Sequence, residues 1–335
     1  MGRKPVVRML MPEGTTTFTD LIRGEVSFDH NFVPDFVLVR NDGSPLYTLA
    51  VAVDDVLMKI THVLRGEDLL SSTPRQIRVY QAMGVAPEDY PLFAHLPFVM
   101  GQDNAKLSKR NGEVSIAWYR EAGYLPEAIC NYLALLGWSP GEDREDVTME
   151  ELVQLFTVER VHSSPARFDM KKLEAINGDK IRALTPEAFL KWSLPFLTGA
   201  GVITGTDDEL ALVKQALPII QERITTLAEI PQMLKFLFTR EFAVEADSLA
   251  KISDEQSKKV LQVSLDRLAG LSDWTHAAIE EVLRAALIDE LGLKPRIAFG
   301  AVRIAVTGSH ISPPLFESME LLGKEKSLER IRTSL

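Results

Sequence analysis

The apolar residues of this chain change their spacing near residue 112, and a polypeptide that switches period in this way must build two kinds of structure. Before the switch, "VVRML" and "PDFVLVR" alternate, with Gly24 and "NDG" as turn punctuation, so residues 1–42 are expected to form a small β-rich element. From Tyr47 to Ile60 the residues Leu49, Ala52, Val53, Val56, Leu57 and Ile60 recur at helical spacing, and "THVLRGED" then reads as a short buried strand with a polar end. In "SSTPRQIRVYQAMG", Thr73 is the expected N-cap, Pro74 the first helical position and Gly84 the stop. A second apolar run, "LFAHLPFVM", follows. Strand, helix, strand and polar loop is the order of a βαβ unit, whose ligands sit at the carboxyl ends of the strands. Arg65-Gly66-Glu67-Asp68 and the loop 106–110 both fall at such ends.

After residue 112 the pattern is helical. "LPEAICNYLALLG" stops at Gly137, a capping box runs from Thr148 to Glu151, Asp169 caps another helix, and Thr185-Pro186 starts the next. Amphipathic stretches such as "ELALVKQALPIIQERITTLAEIPQMLKFLF" and "HAAIEEVLRAALIDELG", with a second capping box from Ser253 to Gln256, predict an all-helical C-terminal unit. Gly308 and Pro313-Pro314 break that rhythm and predict a polar corner at the surface.

The formal charge of −10 carries no whole-chain basic signature, so contact with nucleic acid would have to come from local patches. The one cysteine, Cys130, can form no internal disulfide and no thiolate cluster for zinc; a reducing, cytoplasmic setting without structural metal is expected. The six histidines show no pair at metal-ligand spacing, and adjacent Asp54 and Asp55 point about 100° apart on a helix, so neither set predicts a metal site. No apolar run approaches the roughly 20 residues of a membrane span, and the N-terminal residues lack the apolar core of a secretory signal. No internal repeat is present.

Against that acidic background, "AKLSKRNG" places Lys106, Lys109 and Arg110 together between Gly101 and Gly112. A lysine on such a loop can close onto a nucleotide phosphate and stabilise charge developing on it; a solvated cationic loop is the alternative.

The block "VVRMLMPEG…PLYTLAVAVDDVLMKITHVLRGEDLLSSTPRQ", the loop, and "GYLPEAICNYLALLGW" resemble the bacterial glutamyl-tRNA synthetases, class I enzymes whose K-M-S-K-S signature takes the form K-L-S-K-R. The resemblance continues through "ARFDMKKLEAINGDKIR" to "KPRIAFGAVRIAVTGSHISPPLFESMELLG" and so covers essentially the whole chain. It implies ATP, carried with Mg2+, as a substrate beside glutamate and tRNA(Glu), and glutamyl-adenylate as the intermediate. It further implies that Lys109 stabilises the transition state, that Lys106 and Ser108 position the loop on ATP, and that main-chain groups near Phe98 and Val99 hold adenine. Arg65 corresponds to an arginine that binds a substrate carboxylate, a task suited to its planar fork, and Tyr47 to a substrate-contacting tyrosine. At the C-terminal corner, Arg303, Ser312, Pro313 and Leu315 correspond to residues that meet unstacked anticodon bases. A monomer without zinc and without membrane contact is expected.

Each role has a structural rival. Tyr47 could be a half-buried aromatic on a helix face, Arg65 could pair with Glu67 or Asp68, and the proline-rich corner could be a plain helix connection. Val51 stands where some members of the family have asparagine, and Leu69 where some have an aromatic residue. The implied fold is α/β followed by all-α. The end of an acceptor-binding insertion occupies residues 1–42 and the second half of a Rossmann-like catalytic domain 43–105. A signature loop and helical stem-contact region follow at 106–185, and an α-helical anticodon-binding domain at 186–335. A third class, an ATP-dependent nucleotidyltransferase, would not need the long helical extension, and glutaminyl-tRNA synthetase would end in a β-barrel.

Class I synthetases also carry an H-x-G-H signature, and the sequence contains no such tetrapeptide. The expectation is therefore a fragment that is inactive alone, with tRNA binding without catalysis as the alternative. The purified polypeptide should show no tRNA-dependent ATP–pyrophosphate exchange; robust exchange would overturn this.

Overall fold

The computed structural model describes residues 5–101, 115–141, 144–239 and 241–335, and its two compact units do not divide at the change of period alone, because helical residues 129–172 group with the strands. One unit gathers the described residues of 1–114 and 129–172, the other those of 115–128 and 173–335.

The first unit holds eight strands: β1 (Val7–Met9), β2 (Thr15–Asp20), β3 (Gly24–Asp29), β4 (Phe36–Val39), β5 (His62–Gly66), β6 (Leu92–Leu96), β7 (Val99–Met100) and β8 (Ala166–Arg167). Its helices include α1 (Tyr47–Leu57) and α2 (Thr73–Ala82). β2 and β3 form an antiparallel hairpin in register from Thr15↔Asp29 to Asp20↔Gly24. The hairpin joins a four-stranded sheet of order β3-β2-β6-β5, in which β5 and β6 run parallel with Arg65 opposite His95. α2 is the crossover between them, so the βαβ expectation holds. β1 pairs β4, and β7 pairs β8, as separate two-stranded sheets. Leu38, Ala52, Ile77, Val79, Tyr80 and Phe93 form the buried centre, drawing on β4, both helices and β6. Tyr80 donates its hydroxyl hydrogen to Asp55 Oδ2 at 2.7 Å, which explains one of the adjacent aspartates structurally.

Thr73 is not the cap of α2. Ser72 precedes the helix without a side-chain cap bond, whereas Thr73 is its first residue and wholly buried. Its hydroxyl faces Arg65 and His95, and a side chain held inward cannot also reach the free N–H groups of its own first turn.

The chain continues through α3 (Ile116–Ala122), α4 (Pro126–Leu135), α5 (Met149–Leu155) and α6 (Met170–Arg182). Thr148 and Glu151 make the expected capping box on α5, and Asp169 accepts from Lys171 N. Beyond it lie α7 (Pro186–Gly199), α8 (Asp207–Ala216), α9 (Pro218–Gln221), α10 (Ile230–Phe238) and α11 (Ala246–Leu249). The last helices are α12 (Glu255–Ala269), α13 (His276–Arg284), α14 (Pro295–Thr307), α15 (Leu315–Leu322) and α16 (Lys324–Thr333). Thr185 caps α7 as expected. The Ser253 box does not form: Asp254 caps α12, while Ser253 donates back to Leu249 O. A carboxylate one residue later is the stronger acceptor for the orphan N–H groups of the first turn. Thr206–Glu209 and Thr226–Glu229 form two further capping boxes.

Single side chains hold this helical unit's connections. Asn177 on α6 accepts from Leu125 N at 2.8 Å and donates to Thr225 O, while Gln221 donates to Ile181 O and Leu184 O. Arg330 on α16 is 6% exposed; its guanidinium donates to Val306 O and Phe236 O, both at 2.7 Å, and lies 3.9 Å from the Phe242 ring centroid. Burial pulls its pKa down to about 10, which still leaves it charged at neutral pH. Those carbonyls belong to the last turns of α14 and α10, where helices leave acceptors unpaired.

Arg330→Met should cost about 2–4 kcal/mol in urea unfolding, because two buried carbonyls lose their donor; a loss within about 0.5 kcal/mol, the range of an ordinary surface change, would refute the role. Gly84 and Gly123 both have positive φ, but a Cβ on Gly84 meets open space whereas one on Gly123 would sit 2.5–2.9 Å from the backbone of Leu227 and Ala228. Gly84→Ala should therefore cost about 1–2 kcal/mol and Gly123→Ala clearly more in the same assay; equal costs would contradict the packing.

Candidate active site

Parallel pairing of β5 and β6 puts Arg65 and His95 side by side at the strands' carboxyl ends. Arg65 Nε donates to His95 Nε2 at 3.0 Å, and its Nη2 donates to Thr73 Oγ1 at 2.8 Å, with Leu69 O farther away at 3.4 Å. On its other side His95 meets Asp20, Nδ1 to Oδ2 at 2.6 Å. Asp20 Oδ1 also accepts the backbone N–H groups of Ile22, Arg23 and His95 at 3.0, 3.0 and 3.2 Å. Asp20, His95 and Thr73 are all buried.

The ionisation states follow from these contacts. Burial alone would raise the Asp20 carboxyl, but the side-chain and backbone hydrogen bonds from His95, with those from Ile22 and Arg23, outweigh it and hold the group below its usual range. Burial lowers the His95 pKa; the Asp20 hydrogen bond opposes this, and the positive charges of Arg65 and Arg23 add to the lowering. His95 is thus neutral, with its proton on Nδ1 facing a carboxylate and its Nε2 lone pair facing Arg65.

Arg65 does not pair with Glu67, because that carboxylate is engaged elsewhere. Glu67 Oε2 accepts a charge-assisted bond from Arg23 Nη2, and Oε1 accepts from Phe98 N at 2.9 Å. Glu67 thereby ties the turn after β5 to the segment entering β7. Phe168 N donates to Met100 O, so Met100 faces β8, and in a parallel pair the neighbouring residue's N–H and C=O point the other way. The main-chain groups of Val99 therefore face the edge of β7 away from β8.

Tyr47 opens α1 and is half exposed. Burial and the bond to Asp55 push the Tyr80 phenol up, and the positive charge of Arg65 opposes them. Lys106, Ser108 and Lys109 lie outside the described residues. His95, Asp20 and the Arg23–Glu67 pair were missed from sequence; the available signal was a histidine inside the otherwise apolar "LFAHLPFVM". Among the described residues no cluster of three or more His, Cys, Asp or Glu could hold a metal ion.

At the C-terminal corner, Arg303 Nη1 donates to Pro313 O at 2.7 Å and to Ser312 Oγ at 3.2 Å. Ser312, Pro313 and Leu315 are buried, so Arg303 clamps the turn before α15 from the side of α14. Arg303 also lines a cleft of about 630 Å³ with Lys251, Arg296, Phe299 and His310, and burial lowers its pKa. The structure thus joins Arg303 to Ser312 and Pro313, and places Leu315 in the core behind them.

Comparisons with known proteins agree along the whole chain. The family of class I tRNA synthetases (E and Q), catalytic domain, matches residues 1–175, and the anticodon binding domain family matches residues 187–335. The chain is 51% identical over 339 residues to a glutamate–tRNA ligase of Saccharopolyspora erythraea, covering 100% of this chain and 67% of that protein. It is 52% identical over 338 residues to the Rhodococcus jostii ligase, covering 99% and 68%. The crystal structure of a glutamate tRNA ligase from Elizabethkingia meningosepticum in complex with its amino acid superposes with a TM-score of 0.79 at 31% identity, covering 98% of this chain and 68% of that one. With a catalytic-domain match over residues 1–175, an anticodon-domain match over 187–335 and half of all positions identical to ligases covered to two thirds, this chain belongs to the glutamate–tRNA ligase family.

Proposed function

We propose that this chain serves the ATP-dependent attachment of glutamate to tRNA(Glu) with Arg65 as the donor to a substrate carboxylate. The observation that carries this reading is the division of labour within the Arg65 guanidinium. Nε and Nη2 are held by His95 and Thr73, so the fork is fixed in direction while Nη1 makes none of these bonds. A planar donor fixed on one edge suits a carboxylate approaching the other. Tyr47, half exposed at the start of α1 and so open to a ligand, is the second substrate-contacting residue of this reading.

In the reaction, a glutamate carboxylate oxygen attacks the α-phosphorus of ATP, pyrophosphate leaves, and the acyl group passes to a terminal ribose hydroxyl of the tRNA. ATP enters as its Mg2+ complex. Val99 offers adenine the main-chain edge of β7 that faces away from β8, and Lys106, Ser108 and Lys109 bring the cationic loop onto the phosphates, with Lys109 stabilising the departing pyrophosphate. Arg303, Ser312, Pro313 and Leu315 make up the anticodon corner, Arg303 as the charged wall of the cleft, Ser312 and Pro313 as the turn it holds, and Leu315 as the core anchor of the helix that follows. A second reading, tRNA binding without adenylate formation by this polypeptide alone, is favoured by the absence of an H-x-G-H tetrapeptide from the sequence. A steep salt dependence of tRNA(Glu) binding would mark it.

The decisive substitution is Lys109→Ala in the complete ligase. Adenylate formation, measured by ATP–pyrophosphate exchange, should slow by about a hundredfold or more, the scale of losing one transition-state donor. Affinity for tRNA should change by less than about threefold. Equal losses in both would contradict the assignment.

A further inference from the structure

Asp20 and His95 act, we propose, as positioning residues that aim Arg65 at its carboxylate ligand by fixing the imidazole tautomer. The proposal rests on the reading of Arg65 given above and adds what makes that reading work. Asp20 Oδ1 is filled by the backbone N–H groups of Ile22, Arg23 and His95, so Oδ2 is the oxygen left for the imidazole. A carboxylate oxygen only accepts, so Nδ1 must carry the proton and Nε2 the lone pair. That lone pair is the acceptor for Arg65 Nε–H at 3.0 Å. Were the proton on Nε2, two N–H groups would face each other at that distance. The direction of Arg65 is therefore decided by a carboxylate whose sequence position is 75 residues from the histidine it orients.

Stability alone does not require this polar line. Neighbouring β6 residues Phe93 and Ala94 are buried apolar side chains, and buried charged groups are often replaced by apolar ones without loss of stability. What the line supplies is direction: the long side chain is immobilised before any ligand arrives, which removes part of the entropic cost of binding. Thr73 completes the hold from α2, at 2.8 Å from Nη2 and 3.3 Å from His95 Nε2.

Asp20→Asn tests the tautomer with almost no change in volume. With Oδ1 still taken by backbone N–H groups, the new amide nitrogen replaces Oδ2 and donates to Nδ1, driving the ring proton to Nε2; the same swap in a carboxylate–histidine pair is known to select the wrong tautomer. His95→Gln provides the rescue, because its side-chain oxygen can accept from Arg65 whatever stands at position 20. In the full chain, the Arg65 Nε–H exchange rate is read by 15N NMR and affinity for L-glutamate by ligand-observed titration, with circular dichroism to verify folding. The wild-type Nε–H should exchange slowly. Asp20→Asn should release it and weaken glutamate about tenfold, as expected for losing a well-set charge-assisted contact. Asp20→Asn/His95→Gln should recover both to within about threefold. The proposal is overturned if Asp20→Asn folds with both properties intact, or if the double variant is no better than the single. Should Asp20→Asn fail to fold, His95→Gln alone decides: its Arg65 Nε–H must stay as protected as in the wild type, and exchange as fast as that of exposed Arg296 in either protein ends the idea. Arg65→Gln isolates the underlying reading, since unchanged glutamate affinity there would remove the carboxylate role while leaving the exchange data to judge the positioning.

Discussion

A carboxylate buried at the end of β2 is the constraint on which the first unit turns. Taking such a charge out of water costs several kcal/mol unless its lone pairs are filled. Asp20 fills them with three backbone N–H groups and one imidazole N–H. These bonds shape the hairpin turn into β3, fix where β2 meets β6, and, through His95, reach the end of β5. One ionised group thus joins three strand ends, and the exposed consequence of that junction is the direction of Arg65. Glu67 makes a parallel connection on the same turn, from Arg23 to the backbone entering β7. Both the arginine and the Val99 edge are set by acids two residues or more removed from them.

The helical unit uses another device for the same problem. Short helices leave many terminal N–H and C=O groups without partners, and here single amide and guanidinium side chains gather them from several elements at once. Asn177 serves α6 and two loops, Gln221 serves the exit of α6, and Arg330 serves the ends of α10 and α14. At the corner before α15, Arg303 does this for Ser312 and Pro313 while remaining part of a cationic cleft wall. A substitution of Arg303 would therefore move the turn as well as remove a charge from the cleft wall.

Local pattern made much of this architecture legible. The helical spacing from Tyr47 to Ile60, the strand ending at Gly66, and the caps at Thr148 and Thr185 all depend on residues within a turn or two of one another. Local pattern does not decide between neighbouring cap candidates, because the outcome depends on which side chain faces inward and which accepts more strongly. Thr73 is drawn into the core by Arg65 and His95, and Asp254 outcompetes Ser253 as a cap. The polar line was not legible, because its members are separated by 30 and 75 residues and become neighbours only through parallel pairing. Arg65 itself stood out through the family resemblance, whereas its orientation required knowing what lies behind it. The buried positions of Ser312, Pro313 and Leu315 were equally hidden, since a proline-rich break looks the same in sequence whether it faces water or packs inward.

The central claim is that His95 is a neutral imidazole, protonated at Nδ1, bridging a buried carboxylate and an arginine. The most direct measurement is the 15N spectrum of its ring nitrogens across the acid-to-neutral range. The account predicts one nitrogen bearing hydrogen, correlated to the ring as Nδ1, and one lone-pair nitrogen, with no conversion to imidazolium at the pH where an ordinary histidine titrates. A spectrum showing the proton on Nε2, or a doubly protonated ring at neutral pH, would contradict it.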